Sequence, residues 1–438
     1  MRSTFQALFG GLAAVCVLFA GAHLAHADVT LVQVGRLLAV PDKPLQKEKT
    51  IVIRNGRVEA VRDGYVDMIE GEDVAVVDLK AHFVMPGFID GHVHLTNELG
   101  PRRKLTVVER SDPDVAMISV RYAKRTLMAG FTTVRDMGAG GGDAIFALRD
   151  AINAGDIMGP RVFAAGTAMS PTGGHGDTHG FRSEILALFE SAGVCDGPAD
   201  CRRAVRSQVK RSADHIKLTA TGGVLSETAA GTEQQFFMDE LKAIMDTAHL
   251  MGRRVAAHAH GASGINAALR AGVDSIEHGT FANAESFRLF KETGAFLVPT
   301  ISAGATVADM AKPDTTFMPP PIRAKALAVG PQLQKMVKEA HDAGVKIAFG
   351  TDCGVCAHGS NAREFKLLVE AGLTPSEAIV TATINGAANM GMSDDLGTLE
   401  PGKYADLVAV DGDPLADIDE LLEVDAVMKN GVLVKAPS

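Results

Sequence analysis

Short apolar runs alternate with amphipathic segments eight times in the central part of the chain, and this repetition constrains the fold more than any other feature. The predicted strands are residues 88–94, 131–137, 161–168, 215–221, 254–260, 275–280, 296–302 and 346–352. Between them lie helix patterns, one of which opens with a capping box formed by Thr374 and Glu377. Eight such units in about 290 residues favour an α/β protein with a (β/α)8 TIM-like barrel over an open doubly wound sheet. No Gly-x-Gly-x-x-Gly motif follows the first strand, which argues against a dinucleotide-binding domain.

The segments on either side of the barrel have a different pattern, with short strands and tight turns. Asn55-Gly56 and Asn430-Gly431 are each flanked by apolar runs, and Asn-Gly is a strong hairpin signal. We predict that residues 28–85 and 396–438 pair into one small β-sandwich domain built from both termini. Residues 86–395 are then predicted to form the barrel.

Residues 1–27 are predicted to be a secretory signal peptide. A positively charged start precedes an apolar run at residues 7–24, and Ala25-His26-Ala27 has the small-x-small pattern of a cleavage site. We therefore expect cleavage after Ala27 and a secreted or periplasmic location. An uncleaved membrane anchor is the alternative. No later stretch approaches about 18 continuous apolar residues, so we expect no membrane association after cleavage.

Four of the five cysteines lie after this segment. Cys195 and Cys201 bracket a turn-rich loop, and in an oxidising compartment that spacing predicts a disulfide. Cys353 and Cys356 form a Cys-x-x-Cys pair, which alone is not a four-ligand zinc site. It is open whether they form a second disulfide or are two small buried residues.

Composition argues against several classes of partner. The chain has 43 basic against 53 acidic residues, a formal net charge of −10, and no basic block, so we expect no nucleic acid or anionic lipid as a partner. Tryptophan is absent and aromatic residues make up 5%, which disfavours a base-stacking platform. A small-molecule substrate is expected instead, and the chain could assemble into a homo-oligomer.

Histidines gather at the predicted carboxyl ends of the barrel strands, together with one acid. These residues are His92 and His94 at the first strand, His258 and His260 at the fifth, His278 at the sixth and Asp352 at the eighth. Alternate residues of a strand point the same way, so both His-x-His pairs face the barrel mouth, where barrel enzymes carry their catalytic residues. Imidazoles that converge with a carboxylate suit a divalent transition metal, with zinc the default.

Lys217 lies inside a predicted strand, where it alternates with the apolar Ile216 and Leu218. An unpaired ammonium inside a barrel is costly. The lysine could pair with an acid, or it could react with CO₂ to give a carbamate, which is anionic and can bridge two metal ions. The neighbouring histidines favour the carbamate.

This residue set resembles the amidohydrolase superfamily, in the branch with a carboxylated lysine and two metal ions. The residues that carry the resemblance are His92, His94, Lys217, His258, His278 and Asp352. Segments 84–90, 172–176, 256–261, 271–278 and 397–407 are similar to one group within it, the prolidase-like Xaa-Pro and Xaa-Arg/Lys dipeptidases and the amidases that hydrolyse ochratoxin. The similarity extends over nearly all of the chain after the signal peptide. The two cysteine pairs are departures from that group.

The resemblance implies a role for each residue. His92 and His94 hold the more buried metal with Asp352, His258 and His278 hold the second metal, and carboxylated Lys217 bridges the two. Asp352 also takes the proton from the attacking hydroxide and passes it to the leaving amine. The strand period cannot choose between His258 and His260, but the resemblance leaves His260 near the substrate. His175, which follows a Gly-Gly pair, is a candidate ligand for the substrate carbonyl or carboxylate.

We therefore predict an enzyme, a secreted metal-dependent hydrolase of carbon–nitrogen bonds. It would cleave dipeptides or N-acyl amino acids, ochratoxin-type amides among them, as a dipeptidase or carboxypeptidase does, through a hydroxide that bridges two zinc ions. A neutral or aromatic C-terminal residue is favoured, because strand seven and its loop offer no acid before Asp309 and a basic side chain needs a buried carboxylate. The alternatives are a cyclic-amide hydrolase or deaminase of the imidazolonepropionase type, and a non-catalytic barrel that binds metal or ligand.

Overall fold

The computed structural model describes residues 29–138, 142–189, 191–226, 231–312 and 318–437. The predicted signal peptide and its cleavage site after Ala27 lie outside these residues. Among the helices within the described ranges, none combines the length and the apolar character that a membrane crossing requires.

In chain order the strands are β1 (Val29–Leu37), β2 (Gln46–Arg54), β3 (Arg57–Asp63), β4 (Val74–Pro86), β5 (Phe88–Val93), β6 (Phe131–Asp136), β7 (Arg161–Ala164), β8 (Ile216–Thr219), β9 (Val255–Ala259), β10 (Ser275–His278), β11 (Phe296–Val298), β12 (Leu407–Val410), β13 (Ala426–Lys429) and β14 (Val432–Lys435). The helices are α1 (Arg103–Glu109), α2 (Asp112–Met128), α3 (Ala144–Ala154), α4 (Ser183–Leu186), α5 (Gly197–Lys210), α6 (Met238–Leu250), α7 (Ala262–Ala271), α8 (Ala284–Thr293), α9 (Ile301–Ala311), α10 (Pro320–Asp342), α11 (Arg363–Glu370), α12 (Pro375–Thr381) and α13 (Ile384–Met390). A short 3-10 helix covers Ile418–Leu422. The predicted capping box begins α12, where the Thr374 side chain accepts the backbone N–H of Glu377.

Strands from both ends of the chain form one seven-stranded sheet, in the order β14-β13-β12-β4-β1-β2-β3. Strands β1 and β4 are parallel, and the other neighbours are antiparallel. The two halves of the sheet share one apolar core, in which Val34 and Ile51 from the N-terminal half lie in the same cluster as Leu407 and Met428 from the C-terminal half. The prediction of a β-rich domain made from both termini is confirmed.

The central strands form a closed parallel barrel. Strands β5-β6-β7 make a three-stranded sheet and β8-β9-β10-β11 a four-stranded sheet. Isolated parallel bridges join these sheets through the remaining segments: Met169–Leu218, Leu297–Ile347 and Val93–Cys353. The predicted barrel is confirmed. Its eighth strand, predicted at 346–352, is not a regular strand. Isolated bridges mark its ends at Ile347 and Cys353. Between them, the N–H of Gly91 donates to the carbonyl oxygen of Phe349, and the N–H of Asp352 donates to that of His92.

The seventh barrel strand, β11, is shorter than the predicted 296–302. Thr300 has a φ of +53° and caps α9, so Ser302 lies in a helix and not in a strand. The N–H groups of Ile301 and Ser302 donate to the two carboxylate oxygens of buried Glu364, at 2.8 and 2.6 Å. This distant acid satisfies donors that a helix start leaves free, which explains why the chain turns into a helix here.

Two disulfides are present in the described residues. The predicted Cys195–Cys201 bridge is confirmed, and the open question at Cys353 and Cys356 is answered by a second bridge. All four cysteines are buried.

Candidate active site

The structure brings all the predicted site residues together at the carboxyl ends of the barrel strands. His92 lies in β5, Lys217 in β8, His258 in β9 and His278 at the end of β10, while His94, His175, His260 and Asp352 lie in the segments that follow strands. Six imidazoles form one connected cluster, with neighbouring ring centroids 4.2 to 5.4 Å apart. Within each His-x-His pair the two rings lie close together, as the strand period predicts.

Two groups of three side chains at the barrel mouth have ligand atoms within 4.8 Å of one another. One group is His92, His278 and Asp352, and the other is His258, His260 and His278. Nε2 of His94 lies 3.1 Å from Oδ1 of Asp352, yet this buried oxygen accepts no hydrogen bond from any described residue. A buried carboxylate oxygen without a partner is costly. The donor set and this oxygen fit a divalent metal ion.

Four of the imidazoles are oriented through Nδ1. The partners of Nδ1 are Oε2 of Glu277 for His92 (2.8 Å), the carbonyl oxygen of Gly138 for His94 (2.6 Å), Oγ1 of Thr280 for His260 (2.7 Å) and Oγ1 of Thr300 for His278 (2.7 Å). Such contacts fix the ring orientation and leave Nε2 available to a metal ion.

Three residues at the strand ends have φ angles in the left-handed region. The angles are +70° at His278, +53° at Thr300 and +57° at Asp352. This region is unfavourable for residues other than glycine, and more so for a β-branched one such as Thr300. Strain of this kind is found at active sites, where the surrounding structure holds it in place.

Lys217 is buried and forms no ion pair with the described residues. Burial lowers the pKa of its amine to about 8, while the charges of Glu277 and Asp352 act against that shift from a distance. Of the two arrangements considered for this lysine, the structure therefore lacks the simple ion pair.

His175 and His260 both reach the cluster. The ring of His175 stacks on His258 with centroids 4.2 Å apart, and its Nδ1 is buried without a partner among the described residues. Burial lowers the pKa of His175 to about 3 and that of His260 to about 4. Both imidazoles are consequently neutral at pH 7, so they can donate hydrogen bonds to a ligand but bring it no positive charge.

The sequence model described as "Amidohydrolase family" matches residues 83–434. The chain belongs to the amidohydrolase family. The matched span includes every barrel strand, β12, β13 and all but the last residue of β14, as the sequence resemblance implied.

Individual relatives agree with this assignment. The ochratoxinase of Aspergillus niger is 33% identical over 434 residues, covering 94% of this amidohydrolase and 88% of that protein. A crystal structure of a Xaa-Pro dipeptidase with methionine bound in its active site is 41% identical, with a TM-score of 0.88 over 93% of this chain and 100% of that one. A prolidase complexed with N-methylphosphonate-L-proline is 33% identical, with a TM-score of 0.84 over 93% and 100%. The amidohydrolase is thus a hydrolase that acts on amide bonds.

Sequence reasoning missed Glu277, whose carboxylate contacts Nδ1 of His92 and orients its ring. Its fully buried carboxylate accepts hydrogen bonds from Arg135 at 3.0 Å and from the Ser275 hydroxyl at 2.6 Å. Burial raises the pKa of Glu277, and the nearby positive charges of Arg135 and Lys217 oppose that shift. The signal that could have identified it was the one used for Lys217, a charged residue inside a predicted strand.

Asp90 was also missed, and it joins β5, the first barrel strand, to the eighth barrel segment. Its carboxylate accepts the Thr351 hydroxyl at 2.7 Å, the Asn361 amide at 2.8 Å and the backbone N–H of His92 at 3.1 Å. Burial raises the pKa of Asp90 to about 6, although these hydrogen bonds oppose the shift. Asp90 therefore fixes the backbone immediately before both His92 and Asp352.

Two cations near the mouth, Arg103 in α1 and Lys325 in α10, come from helices that the sequence did not connect with the site. Nζ of Lys325, in α10, donates to the carbonyl oxygens of Gly223 and Ser226 at 2.9 and 2.8 Å. Gly223 lies against the ring of His175, since a Cβ there would fall 2.2 Å from it. The pKa of His175 is lowered mainly by burial, and the charges of Arg103 and Lys325 contribute to the shift.

Proposed function

We propose that this amidohydrolase is a secreted, metal-dependent enzyme that releases an amino acid with a free α-carboxylate from a dipeptide or an N-acyl amino acid. The observation that carries the proposal is the convergence of six imidazoles with Lys217 and Asp352, whose buried Oδ1 lacks a hydrogen-bond partner among the described residues. The names of the relatives, a Xaa-Pro dipeptidase, a prolidase and an ochratoxinase, support this substrate class.

We assign the ligands of two divalent ions, zinc by default, as the resemblance implies. His92, His94 and Asp352 would hold one ion, His258 and His278 the other, and Lys217 would bridge them. Bound there, the two ions would lower the pKa of water and polarise the scissile carbonyl. Distance alone leaves His260 a candidate ligand as well, since it belongs to the second group of three.

Lys217 would bridge as a carbamate. Its amine nitrogen attacks CO₂, a nitrogen–carbon bond forms, and one proton is released. A buried amine with its pKa lowered to about 8 is partly neutral near neutral pH, which the reaction requires. The product replaces an unpaired cation beside the histidines with an anion, which is electrostatically favourable near two metal ions.

Asp352 would carry the proton during catalysis. Burial favours its neutral form, but His92 and His94 outweigh burial and keep the pKa of Asp352 below its usual range. It can therefore accept a proton from the attacking water and pass it to the leaving nitrogen, because an amine leaves an amide only when it is protonated.

The substrate side of the site suits an anion. His175 and His260 would act as neutral hydrogen-bond donors, and Lys325 and Arg103 would supply positive charge at the mouth. Glu364, a buried acid beside the end of the seventh barrel strand, already accepts two backbone N–H groups. We therefore keep the preference for a neutral or aromatic leaving residue over a basic one.

The two disulfides support a secreted or periplasmic location, because such bridges persist in oxidising compartments. Cleavage after Ala27 remains part of this proposal, as do the domain boundaries at 85/86 and 395/396 and assembly into a homo-oligomer.

The test measures metal content, and it measures kcat/KM for a dipeptide and for its C-terminal amide. We expect two metal ions per chain and a kcat/KM at least about tenfold lower for the amidated form, since a hydrogen bond to a charged group contributes about 1.5–3 kcal/mol. Equal kcat/KM for the two forms would mean that no carboxylate is recognised. Turnover of a cyclic amide with one ion per chain would favour the imidazolonepropionase-type alternative.

Lys217→Ala tests the bridge. We expect the variant to lose both ions and its turnover, because the lost ligand is shared. The exposed Lys335→Ala is the control. If Lys217→Ala kept two tightly bound ions and full activity, the bridging carbamate would be wrong.

A further inference from the structure

The loop that carries the proposed catalytic acid is closed by a disulfide. Asp352 is followed directly by Cys353, which is 0% exposed and bonded to Cys356, 3% exposed. The two cysteines also pair as an isolated parallel bridge, and the N–H of Gly354 donates to the carbonyl oxygen of Cys356 at 3.0 Å. The loop is thus held by both a covalent bond and backbone hydrogen bonds.

The same loop fixes the backbone of His94. The N–H of His94 donates to the carbonyl oxygen of Cys353 at 2.7 Å, and Val93 pairs with Cys353 as a parallel bridge. Gly354 has a φ of +113°, and a Cβ at this position would lie 2.6 Å from the Cβ of His94. No side chain larger than hydrogen fits between the loop and His94, so a shift of one moves the other.

The loop also holds Asp352 in its strained conformation. Asp352 has a φ of +57°, its carbonyl oxygen accepts the N–H of Val355 at 2.8 Å, and the N–H of Cys353 donates to the Thr351 hydroxyl at 3.0 Å. A left-handed conformation at a residue other than glycine persists only where the surroundings enforce it. The disulfide closes the turn in which these contacts are made.

We propose that the Cys353–Cys356 disulfide positions the metal site, by holding Asp352 and His94 in the geometry in which they share an ion. Full metal affinity then requires the oxidised bridge. The inference rests on the proposed function, which assigns both residues to one metal ion. It adds a covalent device that the sequence resemblance does not include.

Breaking the bridge takes two electrons and two protons, which a dithiol such as dithiothreitol supplies while it is oxidised to its own cyclic disulfide. Reduction leaves Asp352 and His94 chemically unchanged, but dithiothreitol itself binds zinc, so a loss of metal under reduction would not by itself show that their positions had changed. Both sulfur atoms are buried, and a reductant would also reach the other bridge. A pair of substitutions is therefore the sharper test.

The experiment compares Cys353→Ala/Cys356→Ala with Cys195→Ala/Cys201→Ala, since each variant removes one buried, short-range bridge. Metal per chain is measured after dialysis against a graded series of a competing chelator, and the unfolding midpoint of each metal-free protein is recorded. We expect the first variant to release metal at about tenfold or more lower chelator concentration than the wild type, as for a lost supporting contact. The control variant should retain metal as the wild type does.

Wild-type retention and kcat in the Cys353→Ala/Cys356→Ala variant would overturn the inference, and so would equal metal loss in the two variants. If the first variant does not fold, the wild type is partly reduced, alkylated and fractionated. Retention is then measured against the fraction of bridge remaining, and a flat relation also overturns the inference. A wild type that binds fewer than two ions would instead contradict the proposed function.

Discussion

Thr300 and Thr280 have the same relation to two neighbouring imidazoles. Oγ1 of Thr300 lies 2.7 Å from Nδ1 of His278, and Oγ1 of Thr280 lies 2.7 Å from Nδ1 of His260. Both threonines are fully buried. The two contacts differ in the proposed role of the imidazole, a metal ligand for His278 and a substrate ligand for His260. They therefore offer a matched pair of substitutions.

Valine at either position keeps the side-chain shape and removes the oxygen. We expect Thr300→Val to weaken metal binding by about 10–100-fold, because the histidine loses the contact that orients it. Thr280→Val should keep both ions and raise KM. A competitive chelator titration together with steady-state kinetics measures both effects. Equal metal loss in the two variants would make His260 a ligand, and no change in either would contradict the orienting role.

At the scale of elements, the sequence predicts what lies along a strand better than what packs across strands. The strand ends and the period of two were enough to place both His-x-His pairs, His278 and Asp352 at the barrel mouth, because both follow from local backbone geometry. The start of α9 was not predictable in this way, since it depends on Glu364, 63 residues away from Ile301. Glu277 carries a sequence signal, a charge inside a predicted strand, but its partner Arg135 is 142 residues away and is identified only by the packing of the barrel.

Helix α10 shows the same limit. The sequence predicts a helix between the seventh and eighth barrel strands. Its amphipathic pattern does not show that Lys325 packs on the loop after β8, beside His175. That contact depends on how the helix packs against another loop. Its contribution can be measured within the helix itself, because Lys335 is 67% exposed and provides a control on the same element.

We expect Lys325→Met to raise KM for a substrate with a free carboxylate by about tenfold, since it removes positive charge at the mouth and two hydrogen bonds to the loop that packs on His175. Lys335→Met should remain within about twofold of the wild type, because exposed ion pairs contribute little. Steady-state kinetics on the dipeptide and on its C-terminal amide separates the two contributions of Lys325. An equal rise for both substrates would indicate that Lys325 only supports the loop.

At the scale of the whole molecule, the β-rich sheet and the barrel are joined at the amino end of the barrel, away from the proposed site. Only Gly87 separates β4 from β5, and Tyr404 lies between the guanidinium groups of Arg57 and Arg161, 4.0 and 4.1 Å from its ring centroid. Arg161, which begins β7, also pairs with Asp406 at 2.7 Å. Covalent continuity and this charged contact predict that sheet and barrel unfold together.

The two arginines on Tyr404 allow that prediction to be tested. The Asp406 side chain is 5% exposed in its pair with Arg161, whereas Asp395 is 35% exposed in its 2.8 Å pair with Arg57. We expect Asp406→Asn to lower the free energy of unfolding by about 2–3 kcal/mol, because it leaves the half-buried Arg161 without its counter-charge. Asp395→Asn should cost less than about 1 kcal/mol, as for exposed pairs.

Urea unfolding of the metal-free variants, followed by circular dichroism, should show one transition in each case. Two transitions in Asp406→Asn would mean that sheet and barrel unfold independently, and equal losses in the two variants would mean that burial of the pair does not set its contribution.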